Sequence, residues 1–270
     1  MYKQLFIITI GISLITSISY AETTTRLTVH NDSHPQLHTQ QSMKSRPTNI
    51  IPAPPAIQLN AKAWVLMDYQ SGQVLAYKNM NQELPPASLA KLMTSYVISN
   101  AVETNAISFN DPVHISTKAW KTEGSKMFIK SGENISVENL MKGMIISSGN
   151  DATVALAEHV AGTQSAFVYM MNQTAQQLGL KHSHFSNPNG LPSPDQYTTA
   201  YDLALLSRAL ISHFPTEYQW YKVKSFSWNG IKQPNRNRLL WQNKQVDGLK
   251  TGYTQKSKYS LVASETQGDR

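Results

Sequence analysis

Strand-forming and helix-forming residues are segregated along this 270-residue chain, and that segregation limits the folds open to it. Residues 63–77 read as a hairpin: two apolar runs, 64–67 and 73–77, flank the turn-rich Asp68-Tyr69-Gln70-Ser71-Gly72. A helical block follows. After Pro85-Pro86, Leu89, Leu92, Met93, Tyr96, Val97 and Val102 recur at helical spacing from about Ser88. Further helices are expected over residues 137–146, 151–160 and 165–178, the last closed by Gly179. Another begins at Thr199, with Asp202 as a capping-box partner, and ends by His213-Phe214-Pro215. The pattern then turns to strands over residues 221–228, 239–241, 249–253 and 259–264. A sheet whose first and last strands come from opposite ends of the folded part, with helices packed on it, accommodates this order. The chain has no internal repeat.

The N-terminus reads differently. Lys3 is the only charge before an apolar stretch over residues 5–18, and Ser19-Tyr20-Ala21 then precedes Glu22. That is the layout of a secretory signal peptide over residues 1–21, and it points to an exported, periplasmic or cell-envelope protein. The stretch is shorter than the ~20 residues of a membrane span, and Thr9, Ser13, Thr16 and Ser17 interrupt it. Residues 22–58 are rich in Thr, Ser, Gln, His, Asn and Pro and end in Pro52-Ala53-Pro54-Pro55. Such a segment buries too little apolar surface to offset its ordering entropy and reads as a disordered linker. His30, His34 and His38 would share a helix face, but Pro35 breaks that helix, so no metal site is expected. Residues 59–270 remain as one folded domain. The complete absence of Cys excludes disulfides, thiolate zinc sites, iron–sulfur clusters and a Cys nucleophile. The net charge of +7 permits anionic partners, but no basic run is dense enough to argue for nucleic acid.

Three short motifs carry chemistry. In Ser88-Leu89-Ala90-Lys91 the hydroxyl and the amine lie on one helix face, one turn apart. A Ser hydroxyl needs a base to become a nucleophile. A Lys can be that base once burial or a neighbouring cation lowers its pKa. Ser148-Gly149-Asn150 sits in the break between two helical segments, where a hydroxyl and an amide can relay a proton and fix a substrate amide. Taken alone it is also an ordinary turn. Ser227-Trp228-Asn229 repeats the pattern but lies in an aromatic, strand-like run. Lys250-Thr251-Gly252 falls on an expected strand, where a substrate could lie along the edge and approach the backbone at the glycine. Each motif is weak. Their order and spacing, 60 residues from Ser88 to Ser148 and 102 from Ser148 to Lys250, are not.

In that order the chain resembles the penicillin-recognising serine enzymes. Among them it is most similar to the low-molecular-mass penicillin-binding proteins that are D-alanyl-D-alanine carboxypeptidases. The surrounding residues extend the likeness: Pro85-Pro86-Ala87 and Leu92-Met93-Thr94 around the first motif, Asp151-Ala152 after the second, Asn235-Arg236-Asn237, and residues 246–254 around the third. The resemblance implies an α/β (α+β) fold of the β-lactamase/transpeptidase type, an antiparallel sheet flanked by helices with a central helical block. It implies that Ser88 attacks the bond between two D-alanines of a peptidoglycan stem peptide, with Lys91 as base and Ser148 as proton shuttle. Asn150 would hold the substrate amide and Lys91, and Lys250 would tune Lys91. Thr251 and Arg236 would bind the terminal carboxylate, Gly252 would let the substrate close on the strand, and the N–H groups of Ser88 and Tyr253 would form the oxyanion hole. β-Lactams would acylate the same serine. Neither a metal nor a cofactor is implied.

Two rival readings are a class A β-lactamase and a truncated wall-binding protein without turnover. The former relies on a Glu between the second and third motifs, and residues 179–210 contain none, only Asp195 and Asp202. The latter arises because the family continues, after the strand matching residues 259–264, with a central strand and a packing helix. Many members add a β-domain and a C-terminal membrane helix. On this expectation those elements and the membrane anchor are missing from the chain, and catalysis needs residues beyond Arg270.

Overall fold

The structure, a computed structural model, describes residues 5–11 and 58–267. The rest of the expected leader, the expected linker but for its last residue, and His30, His34 and His38 lie outside the described residues. The first elements are β1 (Leu5–Gly11), β2 (Trp64–Asp68) and β3 (Val74–Lys78). The helical block holds α1 (Ala90–Glu103), a short pair β4 (Pro112–His114) and β5 (Asn134–Ser136) with α2 (Thr117–Lys121) between, then α3 (Val137–Ile146), α4 (Asn150–Ala161), α5 (Gln164–Gln177) and α6 (Ala200–His213). After α7 (Pro215–Tyr218) come β6 (Ser225–Trp228), β7 (Ile231–Pro234), α8 (Leu239–Gln242), β8 (Val246–Thr254) and β9 (Lys258–Thr266).

The main sheet has the order β3-β2-β1-β9-β8. As expected, its strands come from both ends of the sequence. β2–β3 and β8–β9 are antiparallel, but β1 runs parallel to both of its neighbours. Residues 5–11, within the apolar part of the expected export leader, therefore form a strand here, between β2 and β9. Because β8 ends the sheet, one of its edges is open.

The helix expected from Ser88 begins as a 3-10 turn over Ala87–Leu89 and continues as α1. α1 is buried nearly all round, as a helix surrounded by others must be. Leu89, Leu92, Met93 and Ile98 are fully buried, each contributing roughly 1.5–3 kcal/mol. Ser116, Ser136, Thr163 and Thr199 cap α2, α3, α5 and α6 by accepting from N–H groups in the first turn. The capping box at Thr199 is only half made. Asp202 turns instead to the His182 N–H and the Ser183 hydroxyl. The two helices that start next to the Ser-Lys and Ser-Gly-Asn motifs, α1 and α4, have no side-chain cap.

Two expected strands are corrected. Within residues 221–228 only Ser225–Trp228 is a strand. Gln219–Lys222 form a 3-10 turn that buries Tyr221. β6 pairs with β7 in a separate hairpin through Asn229-Gly230, both at positive φ (46° and 75°), the geometry such a two-residue turn requires. Residues 239–241 are helical, not extended. Asn237 Oδ1 accepts the Leu239 N–H, which starts the turn, and Leu240 is buried.

One buried carboxylate joins α4 to the loop that covers it. Asp151 accepts from the N–H groups of Met127, Phe128 and Ile129 as well as from Ala152. Replacing Asp151 by Ala leaves these donors without partners, at 1–3 kcal/mol for each one that is buried. Asp151→Ala is expected to lower stability by roughly 3 kcal/mol, read as a lower urea midpoint, with Asp151→Asn in between. A midpoint equal to wild type would show that the loop is held by other means.

Candidate active site

The three motifs lie more than 160 residues apart from first to last, and the fold brings them to one cavity. Ser88 sits in the 3-10 turn ahead of α1, and Lys91 follows one turn on, buried. Lys91 Nζ lies 3.1 Å from Ser88 Oγ, 2.7 Å from Asn150 Oδ1 and 2.6 Å from the Asn189 carbonyl oxygen. Two of these partners are carbonyl oxygens that can only accept. They take two N–H groups of the amine and leave its remaining tetrahedral position facing the Ser88 hydroxyl. On a neutral amine that position is the lone pair, aimed at the proton a nucleophilic serine must lose.

The neutral form is favoured. Burial, then the charge of Lys250, then that of Arg236 hold the Lys91 pKa well below the ordinary lysine value, with Asp151 opposing. Lys250 projects from β8, is buried, and donates to Ser148 Oγ (2.9 Å) and to the Thr251 carbonyl (3.1 Å). Burial and then Arg236 bring its own pKa down to about 7. The charge of Lys250 thus helps to keep Lys91 neutral, while its own amine is bound to Ser148.

The backbone around these groups is held tightly. Ala87 and Ser148 both adopt left-handed φ (49° and 59°) without being glycine. Strain of this kind persists where surrounding contacts over-determine it. Asn150 Nδ2 donates to the Glu123 carbonyl, which fixes the amide so that its oxygen faces Lys91. The loop before α6 contributes what the sequence did not disclose. Asn189 offers a backbone carbonyl to Lys91, and Thr94 of α1 donates to the Pro188 carbonyl. Gly190, at φ 82°, packs so closely that a Cβ there would stand 1.8 Å from the Ala87 carbonyl oxygen. The only hint in the sequence is the turn-rich Asn187-Pro188-Asn189-Gly190.

The cavity measures about 1000 Å³ and is lined by Ser88, Ser148, Arg236, Thr251, Gly252 and Tyr253, with Ser125, Gln233, Arg238 and Tyr259 among the further residues. Lys91, Asn150 and Lys250 lie buried behind this lining. At Gly252, β8 passes close to the Ser88 turn: a Cβ there would be 3.2 Å from both the Pro86 carbonyl oxygen and Ala87 Cβ. Every candidate residue from the sequence is therefore at, or directly behind, one cavity. Among the described residues no carboxylate lines it. Asp202 is held by His182 and Ser183.

Comparison with known families matches residues 48–270 to the family described as D-alanyl-D-alanine carboxypeptidase. This chain belongs to that family. The resemblance read from the motifs is borne out by its relatives. The D-alanyl-D-alanine carboxypeptidase DacC of Escherichia coli is 50% identical over 221 residues, covering 79% of this chain and 55% of the relative. DacD of Salmonella typhimurium is 46% identical over 241 residues, covering 87% and 61%. The chain thus spans little more than half the length of the curated relatives it matches. Among solved structures, the carboxypeptidase DacD of Francisella tularensis aligns with a TM-score of 0.78 at 37% identity, covering 86% of this chain and 67% of that one. Penicillin-binding protein D2 of Listeria monocytogenes, in its ampicillin-bound form, aligns at 0.72 and 29%, covering 80% and 88%. The expected mixed fold of this carboxypeptidase family, helices around a sheet with antiparallel pairs, is the one observed, and the parallel pairing of β1 with both its neighbours departs from the wholly antiparallel sheet expected.

Because Gly190 has no room for a side chain, Gly190→Ala is expected to push the Ser88 turn out of place. A fall of several degrees in melting temperature should accompany loss of Ser88 reactivity toward a fluorescent penicillin. Normal labelling by this variant would contradict the close packing.

Proposed function

We propose that this chain carries the catalytic machinery of an exported serine D-alanyl-D-alanine carboxypeptidase that trims peptidoglycan stem peptides and is acylated by β-lactams. The observation that carries the reading is the buried Lys91 amine, whose one uncommitted position faces Ser88 Oγ. Lys91 takes the Ser88 proton as Oγ bonds to the carbonyl carbon between the two D-alanines. The N–H groups of Ser88 and Tyr253 receive the developing oxyanion, each worth a few kcal/mol in the transition state. Ser148, bound to Lys250, gives its hydroxyl proton to the departing amine as the C–N bond breaks and receives in its place the proton that Lys91 took from Ser88. Free D-alanine leaves, and water then hydrolyses the acyl-enzyme. Asn150 fixes both Lys91 and the substrate amide. Thr251 and the Arg236 guanidinium hold the terminal carboxylate, for which a planar fork of donors is suited. The absence of a carboxylate from the cavity lining argues against rapid β-lactam hydrolysis.

Export rests on the leader pattern of residues 1–21, and the cell envelope is where the substrate is found. Cleavage after Ala21 would take β1 out from between β2 and β9.

Two experiments test the mechanism. Ser88→Ala should abolish labelling by a fluorescent penicillin and lower D-alanine release roughly a thousandfold or more. Labelling that survives would remove Ser88 as nucleophile. The pH profile tests the lysines. Activity needs neutral Lys91, so kcat/KM rises as pH climbs through its depressed pKa. It also needs charged Lys250, so kcat/KM falls as pH passes Lys250's value of about 7. Lys250→Arg keeps its charge and should move the alkaline limb upward; an unmoved limb would assign that limb to another group.

A further inference from the structure

A second guanidinium faces the cavity and has no task in the reaction above. Residues 235–238 alternate: Asn235 and Asn237 are buried, while Arg236 and Arg238 are exposed and both line the cavity that holds Ser88 and Ser148. The two asparagines fix this edge. Asn235 Nδ2 donates to the carbonyls of Tyr221 and Val223, and Asn237 Nδ2 to that of Gly248 on β8. Their Oδ1 atoms accept the N–H groups of Asn237 and Leu239. The two arginines are therefore presented from a backbone tied at both ends, not from a free loop.

Neither arginine is paired with a carboxylate among the described residues, and no acid lines the cavity. The surrounding segment has the same bias. Residues 222–258 contain nine Lys and Arg and a single acid, Asp247. That acid is occupied by the hydroxyls of Tyr218, Ser264 and Thr266. Two like charges two residues apart repel each other, and a ligand with two anionic groups removes the repulsion. In the reading above Arg236 takes the terminal carboxylate. Arg238, two residues further along the same edge, is left for a different anionic group of the ligand.

We infer that Arg238 is a specificity-determining residue that favours D-alanyl-D-alanine peptides bearing a second free carboxylate upstream of the scissile bond over the same peptides with a carboxamide there. This rests on the carboxypeptidase reading. A guanidinium donates two parallel N–H groups to a carboxylate and finds no such acceptor pair on an amide, so the discrimination is chemical and not steric.

The test uses two acetylated tripeptides ending in D-alanyl-D-alanine. They differ only in a side-chain carboxylate or carboxamide on the preceding residue. At low salt the wild-type chain should release D-alanine from the acid peptide with a kcat/KM roughly fivefold higher, and the ratio should shrink as salt screens the contact. Arg238→Gln should bring the ratio to about one, and Arg238→Lys should keep part of it. A ratio of one in wild type, or an undiminished ratio in Arg238→Gln, overturns the inference. Calorimetric binding of the same peptides to Ser88→Ala, with and without Arg238→Gln, needs no turnover. Absence of D-alanine release from both peptides sinks the carboxypeptidase reading. Equal affinity of the two peptides for Ser88→Ala sinks the role of Arg238.

Discussion

A lysine amine enclosed by two carbonyl oxygens and one hydroxyl is the contact on which this molecule turns. Asn150 Oδ1 and the Asn189 carbonyl are closer to Lys91 Nζ than Ser88 Oγ is, and neither can donate to it. Burial disfavours the ammonium form, and two nearby cations disfavour it further. A neutral amine with its lone pair toward a serine hydroxyl can serve as a general base, the role proposed for Lys91. No carboxylate or imidazole is needed beside it, and none lines the cavity.

The rest of the architecture keeps that contact in place. Ser88 and Lys91 share the start of a helix buried on nearly every side, so neither can swing away without disturbing the core. Asn150 opens α4, and Asp151 binds that helix start to the loop over residues 127–129. The Asn189 carbonyl arrives from a loop pressed against Ala87 at a glycine that admits no Cβ. Lys250 comes from the opposite end of the sequence on the outermost strand of the sheet, whose open edge borders the cavity. Four distant segments supply the atoms of the arrangement, Ser88 and Lys91 coming from one of them. Tertiary packing therefore sets the chemistry, and the local motifs alone do not.

The parts legible in the sequence are those written in side chains. The spacing of Leu89, Leu92, Met93, Tyr96 and Val97 marks α1, because a buried helix repeats its apolar residues. The Ser-Lys, Ser-Gly-Asn and Lys-Thr-Gly motifs mark positions that the fold brings to one cavity. What escaped is written in backbone or in short elements. The carbonyl of Asn189 carries no identity that a residue letter could reveal. Residues 239–241 are too few for periodicity to separate helix from strand, and the Asx turn from Asn237 decides the matter. The β6–β7 turn was legible in Asn229-Gly230, a strong hairpin signal, but the reading of one continuous strand over residues 221–228 passed over it. Residues 5–11 carry the pattern of an export leader and form β1, because a leader and a strand can draw on the same apolar residues.

The account stands or falls on the protonation state of one amine. NMR titration of the chain with carbon-13 at lysine Cε reads it directly, the Lys91 signal being assigned from its loss in Lys91→Arg. Lys91 should titrate well below the ordinary value of 10.5. A Lys91 signal that stays in the ammonium form up to pH 10 would contradict the base assignment and the mechanism built on it.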